Sequence, residues 1–187
     1  MSAPNPVDVV LLNGVGSAGK TSIARALQAI TREMFLHVQM DSFLEMMPPG
    51  SFGHPDGFIF ETLPVTPPEV AIHSGPAARR VMAGMRHSIK ALADQGNHLI
   101  VDDVLTTPDQ HAAYAALLAG HRLHSVAVHA PLDVLEAREA ARGDRLIGLA
   151  RWQFPRVHQG VAYDLSVDSS TATPGECAEA IRRVFDL

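Results

Sequence analysis

The segment Gly14-Val15-Gly16-Ser17-Ala18-Gly19-Lys20-Thr21 fits the pattern of a glycine, four variable residues, then Gly, Lys and Ser or Thr. Glycines let the chain turn tightly and aim successive backbone N–H groups at phosphate oxygens. A helix starting directly behind them adds its positive N-terminal end. In such a loop the lysine, here Lys20, reaches the β and γ phosphates of a nucleotide, and the hydroxyl, here Thr21, serves as a ligand for Mg²⁺. An apolar segment precedes the loop, and a stretch with Ile23, Leu27 and Ile30 on one stripe follows it, so the strand-to-helix context that the pattern requires is present. All eight residues are expected to hold the phosphates.

A site of this kind needs carboxylates at the ends of neighbouring strands. Leu99-Ile100-Val101 delivers Asp102 and Asp103 to a strand end, and Asp102, directly after the apolar run, is expected to hold magnesium through water. Asp41 closes another apolar run. It could accept a proton from a hydroxyl attacking phosphorus, or it could cap the helix that Ser42-Phe43-Leu44-Glu45 begins, and position alone leaves both roles open. Positive charge gathers at Arg138, Arg142, Arg145, Arg151 and Arg156. Within that cluster Arg142-Gly143-Asp144-Arg145 reads as a turn able to bring guanidinium groups onto a transferring phosphate. The bland alternative is a solvated helix face on which Glu136 and Glu139 pair these arginines. Ten histidines include no His-Glu-x-x-His or Cys/His ligand pattern, and His121 with His124 reads as a surface pair.

The elements that must position these groups alternate along the chain. Strands are expected at residues 7–12, 35–40, 98–104, 123–129 and 163–167, and helices at 20–31, 76–94, 108–118, 131–141, 146–158 and 174–184. Several strands are rich in β-branched residues without strict alternation, as in strands buried on both faces, so the expected class is α/β with a five-stranded parallel sheet covered by helices. Residues 48–75 break the alternation. This stretch holds six prolines and little helical or strand period, yet carries Phe52, Phe58, Ile59 and Phe60, too apolar for a linker. A substrate-covering loop is expected there, with a plain mobile surface loop as the alternative, and an arginine-bearing lid over residues 138–156.

The composition bounds the partners. With 47% apolar and 19% charged residues in a chain of 187, a single folded domain over residues 1–187 is expected and disorder throughout is excluded. A net charge of −5 argues against nucleic acid or an anionic membrane as the main partner, because either needs a broad basic field. The lone Cys177 cannot form an intramolecular disulfide, and neither a signal peptide nor an apolar run of membrane-spanning length is present, so a cytoplasmic location is expected. The basic residues are thirteen arginines and only two lysines, one of them Lys20 in the glycine-rich loop.

Taken together, Leu12-Asn13-Gly14 through Lys20-Thr21, Met40-Asp41-Ser42, Ile100-Val101-Asp102-Asp103-Val104, Ala141-Arg142-Gly143-Asp144-Arg145 and Val157-His158-Gln159-Gly160-Val161-Ala162-Tyr163-Asp164 resemble the chloramphenicol phosphotransferase family of small P-loop kinases. The resemblance implies a three-layer P-loop NTPase fold and an ATP-dependent kinase that phosphorylates the primary hydroxyl of chloramphenicol as a resistance activity. It places the family's catalytic Asp on Asp41 and its lid arginines on Arg142 and Arg145. Val15-Gly16 stands where the family carries other small residues, and Thr21 stands for Ser. The likeness is weakest across residues 49–75, so the acceptor stays open between chloramphenicol, another small hydroxylated metabolite and a nucleotide. The remaining alternative is a non-kinase nucleotide hydrolase or switch. Against a GTP switch, no Asn-Lys-x-Asp segment for reading guanine is present. Phe43, Leu44, Met46 and Met47 would give an apolar wall beside Asp41, or simply a core stripe, and oligomeric state is not readable.

Overall fold

The computed structural model describes residues 6–143 and 146–187, so Asp144 and Arg145 of the arginine turn lie outside the described residues. In chain order the elements are β1 (Asp8–Asn13), α1 (Lys20–Gln28), β2 (Phe35–Gln39), α2 (Met40–Glu45), β3 (Phe58–Leu63), β4 (Glu69–Ser74), α3 (Pro76–Asp94), β5 (His98–Asp103), α4 (Pro108–Leu117), β6 (Arg122–His129), α5 (Leu132–Arg142), α6 (Leu149–Val157), β7 (Leu165–Asp168) and α7 (Pro174–Phe185). The five apolar segments form one parallel sheet in the order β2-β5-β1-β6-β7. β1 is central, which puts the glycine-rich loop at the carboxyl edge between β5 and β6.

Alternation along the strands fills two cores. Val10, Leu12, Ile100, Val126 and Val128 pack with Ile23 and Leu27 of α1, Ile181 of α7 and Val157 of α6. Val9, Leu11, Leu99 and Val101 face the other way, onto Met85 and Ile89 of α3 and Tyr114 of α4. Both faces of the sheet are therefore covered, as the β-branched strands require. Helices α3, α4 and α7 each carry Pro in the first turn, where its missing N–H costs nothing, and Thr107 and Thr173 open α4 and α7 with reciprocal capping boxes.

Residues 48–75 differ from the expected loop. Within them β3 and β4 pair antiparallel, from Phe58 opposite Ser74 to Leu63 opposite Glu69. Pro64, Pro67 and Pro68 fall in the connection and Pro48, Pro49 and Pro55 before β3, so none of the six interrupts the ladder. The ring of Phe52 stacks on those of Phe58 and Phe60 at 6.0 and 6.1 Å. This hairpin lies against α6, where Val70 N–H donates to the Gly148 carbonyl at 3.0 Å.

Three smaller points are decided by the structure. Asp41 does not cap α2: the cap position is Gln39 and Asp41 sits in the first turn. Tyr163 lies before β7, which starts at Leu165, and its hydroxyl accepts from Asn13 Nδ2 at 2.7 Å. His121 and His124 are not a surface pair. The His121 side chain is 3% exposed and meets Asp94, whereas His124 meets Asp8 at 2.9 Å and stacks on Phe185 at 4.3 Å. Cys177 is buried in the α7 core and its thiol pKa is pushed up, chiefly by burial, which leaves it little thiolate character.

Candidate functional site

The glycine-rich loop is held open by its backbone. Ser17 and Gly19 both adopt left-handed conformations, with φ of 64° and 87°. A Cβ on Gly14 would fall 2.6 Å from the Val128 carbonyl oxygen, so only glycine lets β1 run this close to β6 before the turn. α1 starts at Lys20, and its first turn closes when Ile23 N–H donates to the Gly19 carbonyl at 3.0 Å. The Lys20 side chain folds back across the loop: its Nζ donates to Gly14 O at 2.8 Å and Val15 O at 3.1 Å, and the residue is only 6% exposed.

Beside the loop, Thr21 Oγ1 donates to Asp102 Oδ2 at 2.6 Å. Strand register produces this contact, because β5 pairs Asp102 with Leu12 of β1 and with Gln39 of β2. Burial works against the Asp102 carboxylate, but His37, Lys20 and Thr21 outweigh it and hold its pKa below the usual value. Asp103, one residue on, turns to the other face of the sheet and accepts from the Tyr114 hydroxyl at 2.8 Å; full burial drives its pKa up. Period-two alternation thus separates two adjacent carboxylates into one facing the loop and one facing the core.

The fit to a magnesium ion rests on this donor set. Thr21 Oγ1 and Asp102 Oδ2 are hard oxygen donors at the mouth of a phosphate-shaped loop, as a cation needs that keeps most of its water. The nearby His37 side chain is 9% exposed. Its Nε2 stands 3.6 Å from Asp102 Oδ2 and, among the described residues, has no hydrogen-bond partner, so one buried donor or acceptor at this corner is left over.

Asp41 reaches the same edge, and Arg142 ends the helix that follows β6. Asp41, two residues beyond the strand position paired with Asp102, is carried there by β2 and is half-buried. Arg142 is the last residue of α5, exposed, with Gly143 at φ 70° ending the helix. Of the apolar wall, Phe43 and Leu44 pack partly against the core, Met47 is buried and Met46 is 67% exposed. The chloramphenicol phosphotransferase-like protein family matches residues 7–186, which spans loop, sheet and arginine turn alike.

The chain belongs to that family. A Mycobacterium tuberculosis (strain H37Rv) protein provisionally named an O-phosphotransferase is 31% identical over 172 residues, covering 89% of this chain and 76% of that one. Among solved structures, the M. tuberculosis APS kinase in complex with AMPPNP and APS aligns with a TM-score of 0.69 at 16% identity, covering 98% of this chain and all of the other. A sugar kinase of Janibacter aligns at 0.66 and 18%, covering 97% and 95%. These likenesses show the fold, a P-loop kinase architecture.

Within this member of the family, several site residues carry no role legible in the sequence. Asn13, fully buried, donates Nδ2 to the Val157 carbonyl and to Tyr163 while its Oδ1 accepts from Leu105 N–H, so it ties β1 to α6 and to the segment after β5. Gln153 of α6 accepts from Gly16 N–H at 2.8 Å. The buried Glu139 does not pair an arginine among the described residues; it accepts from the N–H groups of Gly148 and Ala150, at 2.9 and 2.8 Å, and so caps α6. Glu136 does meet Arg151, at 2.6 Å. Arg138 binds Ser169 instead, and with Gly19, Ser22, Ile23 and Pro174 these two line a cavity of about 240 Å³ alongside the start of α1. The Asn13 and Gln153 links join residues far apart in sequence.

Proposed function

We propose that the chain transfers the γ-phosphoryl group of ATP, bound with Mg²⁺, to the hydroxyl of a small molecule. The observation that carries this is the meeting of Thr21 Oγ1 and Asp102 Oδ2 at 2.6 Å beside a Lys20 ammonium drawn into the loop. Together they supply the point charge and the metal corner that a nucleoside triphosphate needs.

In this reading the backbone of residues 14–21, apart from the Gly16 N–H that Gln153 holds, and Lys20 bind the phosphates, and the cavity beside Ser22, Arg138, Ser169 and Pro174 receives the nucleoside. Thr21 and, through water, Asp102 hold the metal, whose chemistry is to neutralise charge on the phosphate oxygens. Asp41 takes the proton of the acceptor hydroxyl as its oxygen bonds to the γ phosphorus. The bond from that phosphorus to the bridging oxygen breaks, and ADP leaves. Arg142 and Arg145 stabilise the charge on the transferred group. The acceptor enters between α2 and the β3–β4 hairpin, where Met46 and Phe52 present exposed apolar surface to an aromatic or apolar molecule with a free hydroxyl, of which chloramphenicol is the first candidate.

Family membership and the relatives' O-phosphotransferase name support this reading. The test is ATP consumption across a panel of hydroxylated molecules that includes chloramphenicol, with mass detection of each acceptor. A gain of one phosphoryl mass on chloramphenicol identifies the acceptor, and a gain on another panel member moves it there. ATP hydrolysis with no acceptor gaining mass contradicts the proposal.

A further inference from the structure

Helix α6 follows the arginine turn, and its polar contacts converge on the phosphate loop. At its start, Gly148 and Ala150 N–H donate to Glu139. At its end, the Val157 carbonyl accepts from Asn13, the residue just before Gly14. Between these anchors Gln153, 4% exposed, places Oε1 2.8 Å from Gly16 N. The peptide unit that Gln153 grips is also held on its other side, because the Val15 carbonyl accepts from Lys20 Nζ at 3.1 Å. A trans peptide points its C=O and N–H in opposite directions, so Lys20 and Gln153 clamp the same unit from two sides. A Cβ on residue 16 would stand 3.2 Å from Oε1, which makes the glycine part of the fit.

We infer that Gln153 is a positioning residue: its amide oxygen fixes the Val15–Gly16 peptide so that the Val15 carbonyl keeps Lys20 aimed along the loop, and it couples the helix behind the arginine turn to the outer phosphates of the bound nucleotide. The inference rests on the proposed nucleotide site and adds a residue to it. The requirement is for an acceptor at this position and nothing more. Leucine, close in size, removes the acceptor, and glutamate keeps it.

The clamp lies where the Lys20 ammonium folds back onto the loop, so its loss falls on the γ-phosphate more than on the inner phosphates, which the N-terminus of α1 holds. The experiment titrates wild type, Gln153→Leu, Gln153→Ala and Gln153→Glu with MgAMPPNP and with MgADP by calorimetry, after melting curves for each variant. Gln153→Ala serves if the leucine variant does not fold, since a smaller side chain lets water reach Gly16 N–H. The expected result is AMPPNP binding weakened about tenfold in the Leu or Ala variant, ADP binding changed less than about threefold, and the glutamate variant restored to within about threefold of wild type for both. Equal weakening of AMPPNP and ADP overturns the inference, as does a glutamate variant as impaired as leucine. Trp152, the sole tryptophan and the neighbour of Gln153 in α6, supplies a second reading. Its emission is expected to respond to AMPPNP in wild type and in Gln153→Glu and to lose at least half of that response in Gln153→Leu; an undiminished response overturns the coupling. Failure of the wild-type chain to bind either nucleotide would sink the nucleotide site itself and the inference with it, whereas binding without discrimination among the variants sinks only the role of Gln153.

Discussion

Two adjacent aspartates show how much a single residue's placement settles. Asp102 and Asp103 have the same chemistry, yet one meets Thr21 and the other the Tyr114 hydroxyl, and their pKa values move in opposite directions. The sequence singles out Asp102 because it directly follows the apolar run; its contact with Thr21, which sets it apart from Asp103, comes from the alternation of sides along β5. What was not legible is His37, whose only sequence signal is a histidine in a buried strand. Asp102→Asn should keep the Thr21 contact and lower the affinity of the protein with ATP for Mn²⁺, used as a spectroscopic substitute, by about 10- to 100-fold, the usual cost of disturbing a group that acts through bound water. Electron paramagnetic resonance titration measures it, and unchanged Mn²⁺ affinity would remove Asp102 from the site. Lys20→Ala should weaken nucleotide binding itself, visible in the same calorimetric titration that leaves Asp41→Asn close to wild type.

At the scale of elements, Gly148 is a junction. Its N–H reaches Glu139 of α5, its carbonyl accepts from Val70 of β4, and a Cβ there would fall 2.5 Å from the Pro68 carbonyl oxygen. The hairpin that covers the proposed acceptor entrance, α5 and α6 are thereby joined at one residue. The sequence located the six longer helices to within a few residues, because capping residues and apolar period are local signals. It missed the hairpin, since prolines around β3 and β4 masked six-residue strands whose pairing only the folded chain displays. Glu139→Gln leaves a side chain with one acceptor oxygen for two buried N–H groups, and the unpaired one should cost roughly 1–3 kcal/mol. Urea denaturation checks this. A variant as stable as wild type would mean that Glu139 does not hold the start of α6.

For the whole molecule, proton linkage follows from two buried clusters. His158 has its pKa lowered from 6.5 to about 4, first by burial and then by the nearby His129 and Lys20 charges. The unfolded chain therefore binds a proton near pH 6.5 that the folded chain refuses until about 4, and stability is lost as pH falls through that window. At the opposite edge of the sheet, burial opposes ionisation of Asp8, but Arg122 and His124 overcome it and bring its pKa from 3.8 to about 2, so a second loss follows below pH 3.8. Melting temperatures measured from pH 7 to 4 should fall, and His158→Asn should flatten that slope. An identical slope in the variant would assign it to other groups. The five-stranded sheet was readable from composition and period alone, whereas these histidine contacts were not, since they join β6 to the segment after α6, and β1 to β5 and β6, across sequence separations that no local pattern encodes.

No described helix is long and apolar enough to cross a membrane, and the net charge of −5 coexists with a Lys20 ammonium drawn into the glycine-rich loop. The central claim is phosphoryl transfer to a hydroxyl with Asp41 as the proton acceptor. Its most direct test is the mass-detected transfer assay run on wild type and Asp41→Asn with the same acceptor and saturating MgATP. The account predicts a phosphorylated acceptor from wild type and a rate about 10²- to 10⁴-fold lower from the variant, the range over which general-base catalysis contributes. Product formed by Asp41→Asn at the wild-type rate, or ADP released by wild type with no acceptor phosphorylated, would contradict it.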